Sequence, residues 1–157
     1  MNCGCVLPNL FVGPDPWSVE DFEHLRALGV SAVLSLQQTD ERDRGSNQEP
    51  KNDLKSNVRS EMEFHSIPIT DFNRAELQAR LPDAVNALAK LLDAGHTVYL
   101  HCTAGVNRSP TVAAAYLHWK KRWPLQRALQ HLQNARNCCP DAAAIRMAQK
   151  RTKTSRE

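Results

Sequence analysis

The run His101-Cys102-Thr103-Ala104-Gly105-Val106-Asn107-Arg108-Ser109 sets a thiol and a guanidinium with five residues between them. Those types suit attack on a phosphate monoester. Such a dianion repels nucleophiles, so its oxygens must first be neutralised. A loop from Cys102 to Arg108 can curl until the backbone N–H groups of Thr103, Ala104, Gly105, Val106 and Asn107 form a nest for an anion. A helix opening near Ser109 would add its positive N-terminal end. The planar fork of Arg108 can grip two phosphoryl oxygens, which a lysine ammonium does less well. The same surroundings favour the thiolate form of Cys102, a strong nucleophile that needs no separate base. Gly105 removes a Cβ where the chain must turn tightly. Asn107 is one of the few non-glycine types that tolerate positive φ. Ser109 can donate a hydrogen bond to the sulfur as it leaves in a second step. His101 is expected to order the loop by hydrogen bonding without touching substrate. The plainer reading of a lone buried cysteine is a small hydrophobe.

A leaving alkoxide or phenoxide also needs a proton. Asp71 is the best candidate to supply it, because it sits on a loop just after a strand, 31 residues before Cys102. It could then act as base toward the water that cleaves a cysteinyl-phosphate. Asp83 and Asp93 are weaker candidates, since both fall at ordinary helix positions. Asp71 and the Cys102 loop meet only if the strands before them are parallel and end on the same side of a sheet.

The rest of the pattern supplies such a sheet. Leu10-Phe11-Val12, Ala32 to Leu36, Met62 to Ile69 and Thr97 to Leu100 read as short strands. Between and after them lie helical patterns. Ser18 with Asp21 suggests a capped start, Phe22, Leu25 and Leu28 an inner face, and Gly29 a C-terminal stop. Leu77, Leu81, Ala84, Val85, Leu88, Leu91 and Leu92 recur at helical spacing, with Pro82 either a kink or a second start and Gly95 the end. Val112, Ala115, Tyr116 and Trp119 mark one face of the helix behind the loop. Pro124 opens another, with Leu125, Ala128, Leu129 and Leu132 inward, and a last helix covers about Ala142 to Ala148. Strands alternating with helices imply an α/β fold: a central, mostly parallel sheet flanked by helices, with the Cys-x5-Arg loop between a strand and a helix. Ligands of such sheets sit beyond the carboxyl ends of strands. Residues 37–60 are polar and read as a long loop.

The 157 residues suit one domain, with a core over about 9–148 and a frayed basic tail at 150–157. A net charge of +3 fits an anionic substrate without demanding one. No basic stripe with interleaved aromatics points to nucleic acid, and no long apolar run points to a membrane. The first residues lack a basic-then-apolar signal, so the expected location is cytoplasmic. Five cysteines are present. Cys3 and Cys5, like Cys138 and Cys139, lack zinc-site spacing, so no metal and no cofactor are expected. A monomer is expected.

On the loop His101 to Ser109, on Asp71 upstream and on stretches such as Leu34-Ser35-Leu36-Gln37-Gln38, Asp71-Phe72-Asn73 and Cys139-Pro140 with Ala144-Ile145-Arg146, the chain resembles the dual-specificity branch of the cysteine-dependent protein tyrosine phosphatases. The resemblance extends to the plant starch (glucan) phosphatases and, more distantly, to laforin. It implies Cys102 as nucleophile, Arg108 as phosphate binder, Asp71 as general acid, and Phe72 as an aromatic that stacks on glucan. Ser109 instead matches the branch that acts on proteins. The implied substrate is a phosphorylated protein (phospho-Tyr, Ser or Thr) or a phosphoglucan. A phosphoinositide phosphatase is the alternative, although the loop carries none of the lysines that hold extra phosphates. A catalytically inactive phosphate-binding module is another. Rhodanese-like domains also seat a cysteine in an anion-cradling loop.

Overall fold

Every second residue of the three inner strands faces the same way, and the two faces bury different clusters. In this computed structural model, which describes residues 1–39, 41 and 60–154, the strands are β1 (Gly4–Leu7), β2 (Leu10–Gly13), β3 (Ala32–Ser35), β4 (Glu63–Ser66) and β5 (Val98–His101). Leu10, Val12, Ala32, Leu34, Val98 and Leu100 point into one cluster. Phe11, Val33 and Tyr99 point into the other, where they meet Phe22 and Leu25. That alternation is the period of two of a pleated strand. Both faces being covered explains why these strands read as unbroken apolar runs.

The helices are α1 (Val19–Ala27), α2 (Arg74–Asp93), α3 (Arg108–Trp119), α4 (Leu125–Ala135) and α5 (Ala142–Thr154). α1 supplies Phe22 and Leu25 to the second cluster, and the other four helices cover the first. α1 begins at a full capping box: the Asp21 N–H donates to the Ser18 hydroxyl, and the Asp21 carboxylate accepts from the Ser18 N–H. Gly29, at φ 84°, closes it.

The sheet order is β1-β2-β5-β3-β4. β5 lies in the middle, parallel to β2 on one side and to β3 on the other, and β4 is parallel to β3. β1, which the sequence reading lacked, pairs antiparallel with β2. Four parallel strands therefore end on one side.

Three element expectations change. Pro82 neither starts nor ends a helix, since α2 runs through it from Arg74 to Asp93. The buried face of Leu81, Ala84, Val85 and Leu88 outweighs one missing N–H bond. α3 is not one-sided: Arg108 to Leu117 are all buried, because the helix lies between the sheet and its helical neighbours. α5 continues through Thr154, past the expected start of the frayed tail. Most of the loop read over residues 37–60 lies outside the described residues.

Candidate active site

Residues 102–107 connect the end of β5 to the start of α3. The turn is made at Gly105, which has φ 69°. A Cβ there would lie 2.5 Å from the Gly13 carbonyl carbon and 2.8 Å from the Pro14 nitrogen. Only glycine fits that backbone and that space. Asn107 does not take the positive φ allowed for it: its φ is −120°. Its side-chain amide donates instead to the Cys139 carbonyl at 3.1 Å. The loop is also held from the other side, where the Asp15 N–H donates to the Thr103 carbonyl at 3.0 Å. The Tyr99 hydroxyl donates to the Pro14 carbonyl and fixes that supporting segment.

Cys102 is buried, and its sulfur lies 3.2 Å from the Ser109 hydroxyl. His101 donates from Nδ1 to the Cys102 carbonyl at 3.0 Å, stacks on Tyr99 and lies 3.9 Å from the Asp15 carboxylate. These contacts tie the ring to the loop backbone and to neighbouring side chains.

Arg108 is only 2% exposed, and its guanidinium is almost saturated. Nη1 donates to the Ile69 carbonyl at 2.9 Å and to the Leu36 carbonyl at 3.4 Å. Nη2 lies 3.3 Å from the Asp71 carboxylate and 3.3 Å from the Thr103 hydroxyl. Nε is buried with no hydrogen-bond partner among the described residues. An orphaned charged donor in a closed site is costly unless a ligand completes it. The juxtaposition of Asp71 and Arg108 meets the condition set by the parallel strands: β4 and β5 end on the same side.

Glu41 is the residue that sequence reasoning missed. Its Oε1 accepts from Nη2 of Arg108 at 2.8 Å and its Oε2 from Nη1 at 3.0 Å, a two-point grip. The Thr103 hydroxyl and the Gln38 N–H donate to it as well. Burial works against its charge, but Arg108, the Gln38 amide and Thr103 together pull its pKa down to about 2. Arg108 shows the same balance from the other side of the pair. Burial opposes its charge, yet the Glu41 carboxylate, the Cys102 sulfur and Asp71 outweigh burial and hold it charged above its ordinary value. The only sequence signal for Glu41 was an acidic residue a few positions past β3, inside a stretch rich in other charges.

The Asp71 turn is anchored at both ends. The Thr70 N–H donates to Glu76 at 3.0 Å, and Gln38 donates to the Thr70 hydroxyl at 2.9 Å. Asn73 caps α2 by accepting from the Glu76 N–H. Between them, the Asp71 carboxylate accepts from the Phe72 N–H. Phe72 is fully exposed and has φ 58°. It is not a core residue. A cleft of about 400 Å³ opens beside Arg108, lined by Thr70, Phe72, Asn73, Leu77 and Asn107 among others. Trp17, just before α1, is 57% exposed. Asp83 and Asp93 lie within α2. All five cysteines are free thiols, and the described residues contain no cluster of three or more His, Cys, Asp or Glu that could hold a metal. Among the described residues no helix is long and apolar enough to cross a membrane.

Known proteins resemble this chain in sequence and in fold. The chain is 33% identical over 151 residues to the amyloplastic phosphoglucan phosphatase DSP4 of Castanea sativa, covering 94% of this chain and 40% of that protein. It is 31% identical over 137 residues to mouse laforin, covering 81% of this chain and 42% of laforin. The chain thus spans less than half the length of these relatives. Among solved structures, PTPMT1 superposes with a TM-score of 0.74 at 20% identity, covering 99% of this chain and 98% of that one, a likeness of fold. The family described as dual specificity phosphatase, catalytic domain, matches residues 10–149, and the chain belongs to it.

Proposed function

We propose that this chain is a cysteine-dependent phosphatase that hydrolyses phosphate monoesters in two steps. The observation that carries the reading is the convergence at the strand ends of the buried Arg108, with Asp71 3.3 Å from its Nη2, and Cys102, with Ser109 3.2 Å from its sulfur. In the first step the Cys102 thiolate attacks phosphorus and the P–O bond to the leaving group breaks. Asp71 gives its proton to the departing oxygen. Arg108 and the backbone of residues 103–108 balance the charge on the phosphoryl oxygens. In the second step water attacks phosphorus, Asp71 takes a proton from it, and the S–P bond breaks. The Ser109 hydroxyl, 3.2 Å from the sulfur, donates to it as it leaves. No step calls for a metal.

The favoured substrate is a phosphoglucan. Phe72 supports it: a fully exposed ring at the edge of the cleft offers a face for stacking on sugar, and two relatives are a phosphoglucan phosphatase and laforin. Release of phosphate from phosphorylated amylopectin, phosphopeptides and phosphoinositides, measured side by side, tests this. The glucan is expected to be the best substrate, with turnover abolished and binding retained in Cys102→Ser. Faster release from phosphopeptides would move the assignment to protein substrates. The cytoplasmic location expected from the sequence is open to a fluorescent fusion, and the amyloplastic relative makes plastids the other outcome.

A further inference from the structure

The short turn before α5 touches both halves of the site. The Cys139 N–H donates to the Val106 carbonyl at 2.7 Å, and Asn107 donates back to the Cys139 carbonyl. Two residues on, the Asp141 N–H donates to the Thr111 hydroxyl at 2.8 Å, which donates to the Asn107 carbonyl at 2.6 Å. These bonds tie the turn to the end of the Cys102 loop. The Asp141 side chain then reaches the other way. Its Oδ2 accepts from Arg74 Nε at 2.7 Å, and its Oδ1 accepts from the Ala144 N–H at 3.0 Å. Arg74 is the first residue of α2 and follows directly on Asp71-Phe72-Asn73.

We propose that Asp141 is a positioning residue for proton transfer: through Arg74 it fixes the Asp71 turn against the loop that holds Cys102. An exposed ion pair contributes little by itself. This one differs on its acidic side. The Asp141 side chain is only 10% exposed, and the Ala144 N–H and the Thr111 network fix its position before Arg74 arrives. Arg74, 64% exposed, is the partner with the fewer constraints, and Asp141 gives it a fixed docking point. The inference rests on the reading of Asp71 as the acid.

Asp141→Asn keeps an oxygen to cap α5 but turns a donor toward Arg74, which removes the pair without removing the cap. Two substrates report the result, an alkyl phosphate that needs its leaving group protonated and an activated aryl phosphate that does not. Asp141→Asn is expected to lower kcat on the alkyl phosphate by about tenfold, part of the ~10²–10⁴-fold that a placed acid supplies. It should leave the aryl rate within about twofold, since Arg74 and Asp141 line the cleft beside Arg108 but hydrogen-bond neither Cys102 nor Arg108 among the described residues. Arg74→Ala should behave alike, and Arg74→Lys should restore most of the loss. In an Asp71→Asn background, Asp141→Asn should change nothing further. Equal slowing of both substrates, no slowing at all, or multiplication of the two single effects would overturn the positioning role alone. If Asp71→Asn itself leaves the alkyl-to-aryl ratio unchanged, the acid assignment fails and takes the inference with it.

Discussion

Glu41 and Arg108 form a pair in which each charge justifies the other. Arg108 is buried with five carbonyl, carboxylate or hydroxyl groups around it, and two of its contacts are to one carboxylate. Removing that carboxylate strands a buried cation. Glu41→Gln is therefore expected to destabilise the fold by about 1.5–3 kcal/mol at neutral pH, the range for hydrogen bonds to charged groups. The sign with pH follows from the lowered pKa. Glu41 contributes its full charge-dependent stability above about 4.5, its ordinary value, and loses it as pH falls toward about 2. Thermal unfolding of both forms should show a gap that narrows across that window. Phe72 presents the opposite case, a residue that stability does not ask for. A bulky side chain at φ 58° is strained by about 1–3 kcal/mol, and full exposure returns nothing. Phe72→Gly should hold or raise the melting temperature while lowering turnover of phosphorylated glucan. An equal loss on a small aryl phosphate would argue against a role in stacking. Cys102, Arg108 and Asp71 were legible because their types and spacing name a reaction. Glu41 was not, because a carboxylate among other polar residues carries no mark of what it faces once the chain folds.

At the scale of elements, the decisive contact is where residue 105 crosses residues 13 and 14. The loop after β5 and the segment after β2 pass so closely that a Cβ would sit within 2.6 Å of the Gly13 carbonyl oxygen. Gly105→Ala must push one backbone away from the other. It is expected to cost more than 10²-fold in activity, because a shift of about 1 Å suffices for that, and about 1–3 kcal/mol in stability. Activity close to the parent protein's would show that the loop has room to spare. The apolar runs of β2, β3 and β5 and the capping signal of α1 were enough to place these elements, since short apolar runs and a Ser18–Asp21 box have few other uses. β1 escaped because Gly4-Cys5-Val6-Leu7 is short, begins with glycine and draws its stability from pairing with β2. The left-handed backbone that Asn107 could tolerate is taken in this loop by Gly105, while hydrogen bonding to Cys139 holds Asn107 elsewhere.

Across the whole molecule, the site lies beyond the carboxyl ends of the parallel strands. Leu36 and Glu41 follow β3, Ile69 and Asp71 follow β4, and Cys102 follows β5, and all converge on Arg108. Such a site has no structure apart from the sheet. Loss of activity in urea should therefore coincide with loss of secondary structure, as in a two-state transition. Activity that disappears well before the circular dichroism signal would point to a separable site. The parallel order β2-β5-β3 has a consequence in time as well as space. A ribosome delivers β1 to β4 before β5, so the growing sheet lacks its middle strand while β2 and β3 already stand with open edges. Their partner arrives only when residues 98–101 emerge, and the thiol follows at once. The nascent chain thus passes through a stage of unpaired apolar strands that invites mispairing with other chains, and a late stall in synthesis just short of β5 is where this protein is most exposed to aggregation.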